Sequence, residues 1–346
     1  MEELVMPSLG VLVLGKYVAS GIGSIAGPML APWKARREAE AKRIAAQGEA
    51  DALAILAAAQ AESLPRIAAA QGEVRGQLTE SGVITTAEIA MSKADIEQRV
   101  LFQDEKRQRN ISAIAAQAAD ELEDTAVTDH EPDHDWAAHF FNLAQDVSSE
   151  EMQKLWAKVL AGEVERPGGT SILTLGVLKD LDRPTALLFR KLCSASISIG
   201  GTDSSFADVR VPSLGENAAS NSLRPYGLNF DALNVLNEHR LIIADYNSYY
   251  DYRLCLGVAL PDNTSIVRIP FRFQGRFWLL EPTGERSKDG EFRVSGVSLT
   301  RSGRELARVV DIEPMPDYTQ AIIKFFEKQG LRMVEVPSGN PQARPL

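Results

Sequence analysis

The sequence predicts a mainly α-helical protein with a C-terminal α+β module. Three observations predict it: an apolar leader punctuated by glycine over residues 4–32, an alanine- and charge-rich stretch over residues 35–122, and period-two alternation after residue 240. With 346 residues, 45% hydrophobic and 24% charged, the chain can bury a real core and hold about two globular units plus extended helix. A formal net charge of −10 argues against a general nucleic-acid binder, because phosphate would be repelled unless a basic face were segregated. Cys193 and Cys255 lie in apolar surroundings and read as small core residues of a reducing compartment, not as a disulfide frame.

Residues 1–33 form the first segment, a hydrophobic, glycine-rich helix expected to associate with a membrane. Between residues 4 and 32 Lys16 is the one ionisable side chain apart from Tyr17. Met1-Glu2-Glu3 stands where a signal peptide needs cations, so the segment is expected to stay on the mature chain. Pro7 and Pro28 bracket about 20 residues, close to the length that spans a bilayer core. Lys16 would cost roughly 2.5–3.5 kcal/mol at mid-bilayer, so something must compensate it. Lys16, Ser20 and Ser24 recur every fourth residue as a polar stripe. Beside them Gly15, Ala19, Gly23 and Gly27 make a small-residue ladder suited to packing against copies of the same helix. Val18, Ile22, Ile25 and Met29 are left to face lipid. Trp33, Lys34, Arg36 and Arg37 follow as an aromatic-then-basic flank, which marks a cytoplasmic interface and places the body in the cytosol under the inner membrane. Two other readings stay open: a glycine-rich hairpin buried inside a soluble oligomer, and an interfacial helix lying flat on one leaflet.

Residues 34–128 form an alanine-rich helical arm. Its Ala, Glu, Gln, Lys and Arg content sums to high helix propensity, broken once by Pro65. Arg43-Ile44-Ala45-Ala46 before that proline is echoed by Arg66-Ile67-Ala68-Ala69 after it. The wording resembles the helical region of the stomatin, prohibitin and flotillin superfamily, which implies self-assembly at membranes. Ile89, Ile96, Val100, Ile111, Ile114, Ala118 and Leu122 keep helical spacing, but Gln103 and Arg107 interrupt a heptad seam. The run over residues 104–109 reads as a solvated helix face.

Residues 129–200 form a tryptophan-centred helical module. Asp135 and Trp136 open a segment in which Trp136, Phe140, Phe141 and Ala144 share one side. Ser148 and Glu151 have capping-box spacing, opening a helix that is expected to stop at Gly162. On it Met152, Leu155, Trp156, Val159 and Leu160 make a core stripe. These residues, with Ala144-Gln145-Asp146-Val147-Ser148, Leu155-Trp156, Leu160-Ala161-Gly162-Glu163 and residues 167–171, resemble a bacterial family of unknown function, domain-of-unknown-function family 2806. The resemblance implies a bacterial origin and an accessory or defence-associated role, and carries no catalytic assignment. His130, His134 and His139 are metal-capable, but Pro132 interrupts the helical spacing of the first two and no second cluster follows. Glu151 and Glu163 read as a cap and a helix-end residue, not as an acid/base pair.

Residues 201–336 form a winged-helix-like α+β module, and residues 337–346 a disordered tail. Helices are expected over 184–199 and 228–239, then strands over 241–244, 253–259, 266–273, 276–280 and 292–299, a turn in which Ser302 stands three before Glu305, and a last helix over 318–328. The helix over 229–240 carries Asp231 and Glu238, poor for phosphate contact. Arg268, Arg272 and Arg276, alternating with aromatics, are the best basic face for nucleic acid or a protein partner.

No phosphate loop, dinucleotide fingerprint, nucleophile elbow or zinc-protease helix is present in a credible context, and no catalytic residue or cofactor is expected. The leading expectation is a non-enzymatic homo-oligomer on the cytoplasmic side of the inner membrane. Its partners would be copies of itself, lipid and a phage or host protein, in the manner of an anti-phage sensor or membrane-disrupting effector. A soluble regulatory or DNA-associated winged-helix protein, and a metal-dependent enzyme around His130, are the alternatives.

Overall fold

The computed structural model describes residues 8–22, 93–123, 125–127, 129–200, 206–259, 266–284 and 291–336. The chain divides into two units, Met1–Gly23 with Asn110–Leu346, and Ser24–Arg109. The repeat around Pro65, and with it most of the stretch that resembles stomatin, lies outside the described residues, as do Gly23, Ser24, Gly27, Trp33, Lys34, Arg36, Arg37 and residues 337–346.

The fold is mixed α+β, with substantial helix and a seven-stranded antiparallel sheet. Helix α1 is Leu9–Ile22 and α2 Lys93–Glu121. Helices α3 (His134–Ala144), α4 (Glu150–Glu165), α5 (Ile172–Lys179) and α6 (Arg183–Ala195) follow in quick succession. Each is started by a side chain that accepts from the backbone of its first turn, from Asp133, Ser149, Ser171 and Asp182 in order. The expected box at Ser148 is therefore displaced by one residue. Ser149 has the extended backbone a cap needs, while Ser148 Oγ accepts from Asn110. Gly162 does not stop α4, which runs three residues further to Glu165; the turn is made at Gly168, whose φ is +75°.

The core of this helical half is aromatic. Trp136 stacks on Phe140 at 5.2 Å, and Phe140 meets Trp156 edge-on at 5.2 Å. Phe140, Phe141 and Trp156 are fully buried. A buried amide pair ties α2 to the turn before α4: Gln153 Nε2 donates to Asn110 Oδ1 at 3.2 Å and to the Val147 carbonyl at 2.9 Å.

The C-terminal half is built on the sheet. Strands β1 (Ile197–Gly200) and β2 (Phe206–Pro212) precede helix α7 (Phe230–Glu238), β3 (Tyr249–Asp251), the one-turn α8 (Arg253–Leu256), and β4 (Val258–Ala259). Then come β5 (Ile266–Val267), β6 (Phe271–Phe273), β7 (Arg276–Pro282), β8 (Arg293–Ser298), α9 (Arg301–Ala307), α10 (Pro316–Glu327) and β9 (Leu331–Val336). The large sheet has the order β3-β8-β2-β1-β6-β7-β9, and β4 pairs with β5 apart from it. Helix α10 lies over the sheet: Phe326 packs near Phe271 and Phe292, and the Tyr318 hydroxyl donates to the Pro212 carbonyl at 2.8 Å.

Several expected elements change. Residues 241–244 contribute one bridge, Ile242 to Leu299, instead of a strand. Arg253–Leu256 is a helical turn, residues 197–200 leave the helix to become β1, and β9 had no counterpart in the sequence reading. Thr300, not Ser302, caps α9, and the Ser302 hydroxyl lies instead 3.0 Å from the Thr174 hydroxyl oxygen.

One buried ion pair pins the sheet. Arg210 donates to both Asp208 oxygens, at 2.5 and 2.9 Å, and to the carbonyls of Ser248 and Val294; the Tyr252 hydroxyl donates to Asp208 at 3.0 Å. Removing one member strands a charge. Arg210→Met should destabilise the fold by about 3–5 kcal/mol, read as a lowered urea midpoint, and a second change, Asp208→Leu, should recover much of the loss.

Candidate functional site

The element that carries the functional expectation, α1, is almost wholly apolar and is not left in water. Val13, Leu14, Tyr17 and Val18 are buried against α3 and α4, at about 1.5–3 kcal/mol for each large side chain. The contact is close because of glycine: a Cβ at Gly10 would come within 3.0 Å of the Leu122 carbonyl, and one at Gly21 would run into the Phe141 ring and the Ala137 carbonyl. Tyr17 meets Trp136 and His130 edge-on, each at 5.9 Å, and its hydroxyl donates to the Glu163 carbonyl at 3.3 Å. Trp136 in turn donates Nε1–H to the Thr170 carbonyl at 2.7 Å. The rim is polar. Lys16 reaches Asp129 at 2.7 Å and Glu131 at 3.1 Å, both on an exposed loop, and Ser20 Oγ lies 2.5 Å from His134 Nδ1.

These placements rearrange the expected face of the leader. Among the described residues α1 runs for 14, about 21 Å at 1.5 Å per residue, against a hydrocarbon core of about 30 Å. Among the described residues no helix is long and apolar enough to cross a membrane. Of the small-residue ladder, Gly15 is half-buried and Ala19 exposed, so the two do not share a packed face; the close-packed glycines are Gly10 and Gly21. Val18, assigned to lipid by periodicity, is fully buried. The compensation that Lys16 requires comes from two carboxylates of its own chain.

The three histidines do not form a cluster. Helix α3 begins at His134, so His130 lies on the preceding loop, beside Tyr17, and the helical spacing between the two never arises. His139 is exposed on α3. Among the described residues no three His, Cys, Asp or Glu side chains come together to hold a metal ion.

The family motif does structural work around this dock. Asp133 accepts from the N–H groups of Asp135 and Trp136, and Asp135 adds a carboxylate to the first turn of α3, where the helix dipole favours it. Glu151 is salt-bridged to Arg183 and receives the Ser149 hydroxyl.

A second polar centre escaped the sequence reading because its members are far apart in the chain. Glu163 is 2% exposed and accepts from the N–H groups of Gly168 at 2.6 Å and Thr170 at 2.9 Å. Glu305 accepts from Ser171 N–H at 2.8 Å, from the Thr174 hydroxyl at 2.6 Å and from Arg301 at 2.8 Å. Burial holds the Glu163 carboxyl above its ordinary value, with Glu305 and Asp133 adding repulsion against its backbone donors. Burial pushes Glu305 the same way, but its donors outweigh it and hold that carboxyl below its ordinary value. Cys193 and Cys255 are buried, and desolvation raises both thiols.

The three arginines of the expected basic face are all exposed, and two of them have partners within the chain. Arg268 donates to the Leu256 carbonyl at 3.3 Å, and Arg276 pairs with Glu335 at 2.9 Å. Arg272 is exposed, at the lip of an open cleft that Ser198, Gln274 and Arg308 also line. A second groove, ≈ 920 Å³ and open to solvent, runs between Ile172, Leu173 and Gly176 of α5 and Glu238, His239 and Arg240 after α7.

The two carboxylates titrate in opposite senses. Glu305 contributes stability above the unfolded value near 4.5 that is lost as pH falls through its lowered folded value. Glu163 contributes stability below 4.5 that is lost as pH rises through its raised one. Glu305→Gln should therefore cost about 1–3 kcal/mol at pH 7 and progressively less below pH 4.5, whereas Glu163→Gln should cost more as the solution is acidified from pH 7 toward 4.5. Denaturant midpoints across that range measure both.

The comparisons with known proteins agree with the motif. A family model described as a protein of unknown function (DUF2806) matches residues 94–323 of the 346. No curated protein and no solved structure matches the chain. The match takes in nearly all of α2, then α3 to α9, most of α10 and strands β1 to β8, leaving α1 and β9 outside it, and the chain belongs to the DUF2806 family.

Proposed function

We propose that the chain is a non-enzymatic bacterial protein that self-associates at the cytoplasmic face of the inner membrane and whose α+β body senses or recruits a protein partner, as an anti-phage sensor or membrane-disrupting effector would. One observation carries the self-association. On the first half of α2, Ile96, Val100, Leu101 and Phe102 are 43%, 45%, 64% and 56% exposed, among residues that are otherwise mostly charged or polar. Four large apolar side chains within seven residues are costly to leave in water and fit a helix–helix interface. Attraction to the membrane rests on the apolar leader and the basic flank after it. The winged-helix-like reading of the body rests on α6 packed with α7, the β6–β7 hairpin, and the step from β8 into α9. A protein partner is favoured over nucleic acid because Arg210, Arg268 and Arg276 are engaged within the chain and α7 carries Asp231 and Glu238.

One observation favours the soluble alternative: the apolar face of α1 is already covered by its own chain. Fractionation of full-length protein separates the two readings. The proposal expects the wild type in the membrane pellet and oligomeric in mild detergent by light scattering. The double change Leu101→Glu with Phe102→Glu should raise the self-dissociation constant at least about tenfold, ~1.4 kcal/mol, with little change in melting temperature because both positions are exposed. A monomeric wild type that stays in the supernatant without detergent overturns it.

A further inference from the structure

We infer that α1 is an exchangeable arm: in the self-assembled protein the α1 of one copy occupies the dock formed by α3, α4 and Leu122 of another copy. The inference rests on the self-association proposed above and names the surface through which it is completed. The dock is specific. It takes a helix bearing glycine at two places, over the Leu122 carbonyl and beside Phe141, a tyrosine between His130 and Trp136, and a cation opposite Asp129 and Glu131. No other described helix of the chain offers that set.

Covalent connection does not decide whose helix fills it. The hydrogen bonds that hold α1 to the dock link residues 113 to 146 positions apart in sequence. Residues 24–109, which lie between them, belong to a separate compact unit. A connection of that length sets no covalent bar to either arrangement, since an extended chain advances about 3.3–3.6 Å per residue. Within one chain and between two, the docked contacts are identical. The balance is therefore set by effective concentration, which any independent association of the copies raises for the exchanged form.

Exchange also reconciles the two features of α1. Its small residues and apolar character suit packing on a protein partner, yet withdrawing it into lipid would leave Trp136, Phe140 and Phe141 facing water. Passing it to a neighbour keeps every buried contact while tying copies together.

Ser20 and His134 touch across the dock, and the native cysteines are buried, so cysteine cross-linking reads the arrangement directly. Full-length chains carrying Ser20→Cys alone and differently tagged chains carrying His134→Cys alone are co-expressed and treated with a short bismaleimide; a chain carrying both changes is treated in parallel. Exchange predicts a covalent heterodimer in the mixture and cross-linked dimers or larger species from the doubly changed chain on denaturing gels. A cross-linked monomer from the doubly changed chain, with no heterodimer in the mixture, overturns exchange. If light scattering then still shows an oligomer, self-association survives without it; a monomer removes both. Absence of any cross-linked product places α1 outside the dock and overturns the inference as well.

Discussion

An apolar helix must be covered, and the helical half of this protein is arranged around covering α1. The dock is a continuous aromatic run in which Tyr17 meets Trp136, Trp136 stacks on Phe140, and Phe140 meets Trp156. Burying Val13, Leu14, Tyr17 and Val18 is worth on the order of 10 kcal/mol as an upper bound, comparable to the whole stability of a typical domain. That magnitude outweighs the surface ion pairs of Lys16, which hold the helix in register but contribute little in water. Hydrophobic burial sets whether α1 docks; glycine and charge set where.

The same dock explains why the family motif is spelled as it is. Asp133 starts α3 so that Trp136, Phe140 and Phe141 fall on one side, and Ser149 starts α4 so that Trp156 meets them. Glu163 then gathers the backbone of the turn between α4 and α5, from which Thr170 holds the Trp136 indole. Glu305 reaches from α9 to the start of α5 and so joins the sheet half to the helical half within this unit. Polar groups that look like acid/base candidates when read singly are, in place, acceptors for turns and helix starts. Their opposite displacements from the ordinary carboxyl range follow from how many donors each meets against the same burial.

Much of the body was legible in one dimension. The stripes of α3 and α4, the buried cysteines and the amphipathic α10 follow from spacing and side-chain type, because burial periodicity is written in neighbouring residues. The misses share a cause. Choosing Ser149 over Ser148, or Thr300 over Ser302, depends on which hydroxyl a distant partner claims: Asn110 in one case, Thr174 in the other. The partner of Arg276 was not legible because Glu335 lies on β9, a strand that earns its place only by pairing with β7.

What the sequence by itself determined is therefore composition and local order: an apolar, glycine-bearing first helix with a lone lysine, an aromatic helical module bearing the signature of its family, and an α+β end. Tertiary structure alone decided the environment of each part. It set Lys16 between Asp129 and Glu131, turned Val18 inward, and split the histidines between a loop and a helix. The physical reason is that periodicity specifies which side chains must leave water but not what covers them. Lipid, a neighbouring copy and the protein's own α3 present the same apolar requirement to a sequence, and only packing in three dimensions distinguishes them.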